Sequence, residues 1–151
     1  MVDLKQSEIY TRSKYIIQAL NDSFIWMSTM SNQQVKAKIL YWIQQDQLTE
    51  QGVDGEGETI GFYSRTTSFI NPKKKFNTHY TLFDTGDFYR SMVIVVLKNA
   101  ILINADSQKM EDREWWRNEI LELTDENIQK LREAYKVEVQ NYVRDVLLGR
   151  R

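Results

Sequence analysis

Cysteine is absent from this chain, which excludes a disulfide framework, thiolate metal sites and a cysteine nucleophile together. A single histidine, His79, rules out sites built from several imidazoles and leaves any Ser-His scheme resting on one residue. Net charge is nearly absent too. At a formal -1, no global field draws the chain toward nucleic acid or an anionic membrane. No apolar run approaches membrane-spanning length, and the opening "MVDLKQSEIYTRSKY" lacks the apolar core of a signal peptide. The expectation is a soluble protein made in the cytoplasm. Its 151 residues suffice for one domain, 1–151, with a real core. Proline occurs once, at Pro72, and four of the six glycines fall between Gly52 and Gly61, so backbone freedom is concentrated in one stretch.

Around that stretch the apolar spacing is regular. Asp3, with Gln6 three residues on, can cap a first helix whose Ile9, Ile16, Ile17, Leu20, Phe24 and Met27 share a face, with "NDS" at 21–23 as a bend. A second helix is expected from Ser31, with Gln34 three residues on. Its stripe is Val35, Ile39, Tyr41 or Trp42, and Ile43, and it ends before Gly52. Residues 47–80 then read as a long irregular excursion, with strand-like "TIGFYS" and "TTSFI" and a turn at "NPKKKFN". "MVIVVLKNAILINAD" reads as two strands meeting at Lys98-Asn99, with Asn99 suited to a left-handed turn. Their apolar residues are consecutive, which implies burial on both faces, one of them against a neighbouring sheet or subunit. "KMEDREWWRNEILEL" reads as a short helix or loop over the sheet. From Thr124 as cap, Ile128, Leu131, Tyr135, Val139, Tyr142 and Val146 mark a last helix that Gly149 ends. The order helix, helix, hairpin, helix gives α+β.

Three stretches carry candidate chemistry. "LFDTG" at 82–86 matches the opening of an aspartic peptidase turn with Asp84 as the catalytic carboxylate. Asp87 and the bulky Phe88 follow where such turns need a small residue, and the glycines precede the motif instead of forming a later flap. A folding role gives every residue a place: Gly86 for an unusual backbone shape, Thr85 or Asp84 as cap of a short helix, Asp87 in its first turn, Phe88 and Met92 as anchors. "DGEGE" spaces Asp54, Glu56 and Glu58 like a calcium loop, yet Thr59 and Arg65 stand where that loop needs glycine and glutamate, so a solvated turn is expected. "NPKKKFNTHY" interleaves Lys73, Lys74 and Lys75 with Phe76, His79 and Tyr80, the ingredients of a single-strand nucleic-acid platform, or of a solvated loop. No cofactor and no metal site is expected.

"TLFDTGDFYRSM" resembles the TG-x-[LF]-x-x-S signature of small head–tail connector and tail-completion proteins of tailed bacteriophages, with Thr85, Gly86, Phe88 and Ser91 in the matching places. There the motif leads into strands and a closing helix, as "VIVVLKNAILIN" and "LTDENIQKLREAYKVEVQNYV" do here. "QLTEQGVDGEGETIGFYSRTT", together with "YTLFDTGDFYRS" and "LTDENI", is similar to small proteins carried by phages and prophages of Bacteroidetes, over most of the chain from Gln47 onward. The chain departs from the connector pattern in its approach to the motif, "THYTLFD", where members carry a basic, proline-marked segment. The resemblance implies a virion structural protein, a neck or tail-completion subunit working as one copy in a homo-oligomeric ring. Its neighbours would be portal, connector or tail proteins, with no membrane and no specific nucleic acid involved. The residues expected at interfaces are the Gly52–Thr67 excursion with Ile60, Phe62 and Tyr63, the pair Trp115 and Trp116, and the outer hairpin face. On this reading the excursion carries no core stripe, so deleting Val53 to Ile60 leaves the domain folded. An aspartic peptidase using Asp84 and a nucleic-acid-contacting accessory protein stand as alternatives.

Overall fold

The structure is a computed structural model that describes residues 8–21 and 23–150. The cap expected from Asp3 and Gln6, and the side chain of Ile9, lie outside the described residues. Helices α1 (Glu8–Asn21), α2 (Phe24–Ser31) and α3 (Gln33–Tyr41) follow one another closely, and α3 continues as a π-helix over Trp42–Gln51. A short α4 (Arg65–Ile70) and α5 (Asp87–Ser91) precede strands β1 (Val93–Val96) and β2 (Ile101–Asn104). A 3-10 turn (Asn118–Leu121) leads into α6 (Asp125–Leu147). The architecture is α+β: helices around a two-stranded antiparallel sheet, with a long closing helix.

The first stripe is redistributed. Ser23 takes a left-handed backbone, φ 57°, which separates α1 from α2 and breaks the phase between their faces. Ala19, Ile25, Thr29 and Met30 are the buried positions, while Ile17, Leu20, Phe24 and Met27 are exposed and Ile16 is half-buried. The second helix starts one residue later than expected. Asn32, not Ser31, is the cap, its side chain accepting from the Gln34 N–H at 2.8 Å. Ile39 and Ile43 are fully buried as expected, and Tyr41 is exposed.

The π-helical extension is the feature that ties the halves together. It is unusually long for a conformation that mostly occurs as single-turn bulges. The Thr49 hydroxyl donates to the Gln44 carbonyl at 2.6 Å, five residues back. Ile43, Gln47 and Leu48 face the core. Gln47 is buried, and its amide serves both directions: Nε2 donates to the Glu122 carbonyl at 2.8 Å, and Oε1 accepts from the Thr124 N–H at 3.1 Å. Both bonds fall at the entrance to α6, where Thr124 is the cap as expected, its side chain accepting from the Asn127 N–H. Leu131 and Val146 of the α6 stripe are buried, with Ile128, Tyr135, Val139 and Tyr142 half-buried beside them.

The hairpin register pairs Val93 with Asn104, Ile94 with Ile103, Val95 with Leu102 and Val96 with Ile101. Ile94 and Ile103 point into the core. Val93, Val95 and Leu102 stand exposed on the other face, so this chain buries only one side of its sheet. The turn closes by a Leu97 N–H to Ala100 carbonyl bond at 2.8 Å, and the Trp26 indole donates to the Leu97 carbonyl at 2.9 Å. Asn99 is not left-handed; among described non-glycine residues that conformation falls to Ser23, Asn77 and Leu82.

Candidate functional site

The motif "DTGDFYRS" sits where the excursion returns to the core. Gly86, at φ 82°, occupies the cap position of α5 itself. Neither expected side-chain cap is made. Asp84 instead pairs with Lys74 at 3.1 Å, its side chain 71% exposed, because it lies two residues ahead of the cap on the solvent side of the turn. Thr85 reaches forward to Asp87: its Oγ1 accepts weakly from the Asp87 N–H at 3.4 Å and donates to the carboxylate. That hydroxyl and the Arg90 guanidinium hold the Asp87 carboxyl below its ordinary range. Phe88 and Met92 are buried as anchors. Ser91 connects two elements: its Oγ donates to the Phe88 carbonyl at 2.7 Å and accepts from the Asp106 N–H at 2.8 Å, tying α5 to the chain that leaves β2. Tyr89 is buried with its hydroxyl on the Thr81 carbonyl and near Thr49, and burial pushes its pKa up to about 12.

The excursion is folded onto the domain, with Asp54, Ile60 and Tyr63 buried. Asp54, 1% exposed, accepts from the N–H groups of Glu56 and Glu58 at 3.0 and 2.9 Å through Oδ1. Its Oδ2 takes the Arg117 Nε, so "DGEGE" is a clamp on the 3-10 segment and not a solvated turn, although Glu56 and Glu58 remain exposed. Ile60 is 3% exposed and Tyr63 is also buried; both belong to the core and present no free surface to a partner. Removing Val53 to Ile60 would delete a core side chain and orphan Arg117, so the expectation that the domain survives this deletion does not stand. Phe62 is exposed. "TTSFI" is not a strand: Ser64 caps it as α4, accepting from the Thr67 N–H at 3.1 Å, whereas "TIGFYS" contributes two isolated bridges, Thr59 to Val53 and Phe62 to His79.

His79 closes the base of the excursion. Its Nε2 meets the Thr49 carbonyl at 2.9 Å, and since a carbonyl only accepts, Nε2 carries the proton. A Cβ on Gly52, the left-handed residue ending the π-helix, would lie 2.2 Å from that ring. Trp115 and Trp116 are half-buried and edge-on to each other, with Trp115 tilted against Tyr80 and Trp116 edge-on to Phe88. Lys74 is drawn into its pair with Asp84 and lies 5.8 Å from the Tyr63 ring, while Lys73 and Lys75 stay exposed.

A cleft of about 510 Å³ opens between the motif and the segment after β2, with Phe83, Asp84, Asp106, Met110 and Trp115 among its walls. Sequence reasoning missed this cleft and missed the exposed Phe69–Ile70 pair on α4. The adjacency of two large apolar residues just before Asn71-Pro72 was the available signal. Among the described residues no group of three or more acidic or histidine side chains is placed to hold a metal ion, and no helix is long and apolar enough to cross a membrane. No protein-family model matches the chain, and no curated protein or solved structure matches it either.

Proposed function

We propose that this chain is a structural subunit of a tailed-bacteriophage particle, placed at the head–tail junction or in the tail, that acts by assembly as one copy in a ring. The observation that carries the assembly reading is the hairpin. Its inner face is spent on the chain's own helices, while Val93, Val95 and Leu102 lie side by side on the outer face, with Leu97 exposed at the turn. A contiguous apolar sheet face of that kind is an interaction surface in the making. The choice of particle rests on the resemblance of "TLFDTGDFYRSM" to connector and tail-completion proteins, and on the order that follows it: a short helix, the hairpin, then a closing helix.

The experiment is to purify particles from a producing strain and identify their proteins by mass, with Asp84→Asn in parallel. The expected result is the chain in the particle, at a copy number divisible into a ring, and unaltered by Asp84→Asn. Absence from particles refutes the virion role. A proteolytic activity that the wild type shows and Asp84→Asn lacks refutes the assembly reading in favour of a peptidase.

A further inference from the structure

We draw no further inference here: the strongest candidate, the exposed Phe69–Ile70 pair on α4, carries none because nothing in the structure shows what covers it.

Discussion

Gly86 stands at φ 82°, and a Cβ there would meet Arg90 Nη1 at 2.8 Å and the Phe83 ring at 3.2 Å. Both backbone and space therefore oppose a branched residue. Gly86→Val should lower stability by more than about 1 kcal/mol, and Gly86→Asn by less, since asparagine tolerates the left-handed region. Urea unfolding of the two variants checks the order. Two residues earlier the expectation is reversed: Asp84 caps nothing and its direct pair with Lys74 is exposed on the Asp84 side, so Asp84→Asn should change stability by no more than about 1 kcal/mol. Tyr89 adds a pH dependence. Its folded pKa of about 12 exceeds the ordinary 10.0, so between these values the unfolded chain has lost a proton that the fold retains. Stability contributed by the neutral phenol is complete below the ordinary value and falls as pH rises through that window, by up to about 2–3 kcal/mol. Tyr89→Phe should be less stable at neutral pH, by about 1 kcal/mol for its lost hydrogen bonds, yet show a shallower alkaline decline than the wild type. A parallel decline in both would remove Tyr89 from the titration.

The elements divide by how much of their support is local. The clamp between the glycine-rich excursion and the 3-10 segment centres on one buried carboxylate, and Arg117→Met leaves Asp54 enclosed and without its cation. That change should cost about 3–5 kcal/mol, and Asp54→Asn added to it should recover part of the loss; chemical denaturation of the single and double variants measures both. Nothing in "DGEGE" announced the pair, because Arg117 lies far along the chain and its role exists only once the segments meet. The closing helix was readable for the opposite reason. Thr124 and the recurrence from Ile128 to Val146 are local signals, and both are observed. The hairpin strands were readable too, but two-sided burial was not decided by their composition: Ile94 and Ile103 face the core while Val95 and Leu102 do not. The first helices failed at one residue, since a left-handed Ser23 resets the phase that a continuous stripe assumes. Of the expected interface residues, Ile60 and Tyr63 were apolar for the ordinary reason that they are core. The exposed Phe69 looked no different on paper.

At the scale of the whole molecule, the outer sheet face and the exposed Phe69–Ile70 pair on α4 are separate surfaces, and each can be altered without touching the core. A two-stranded sheet is marginal by itself. This one is held by Ile94 and Ile103 below and by the Trp26 indole at its turn, so its outer side chains are free to vary. Val95 and Leu102 are cross-strand partners on that outer face. Replacing them together, Val95→Lys with Leu102→Glu, exchanges an apolar pair for an opposite-charge pair in the same register. Such pairs contribute a few tenths to about 1 kcal/mol, so the melting temperature should move little. What should be lost is incorporation into particles, because a charged pair cannot be covered by a neighbour's apolar surface without a desolvation penalty. Mass analysis of particles made with only the double variant reads the outcome, with circular dichroism melting as the control for folding. Normal incorporation with normal melting would show that the sheet face is not a contact. Loss of the cooperative transition would assign Val95 and Leu102 to the fold, and the assembly reading would lose the observation that carries it.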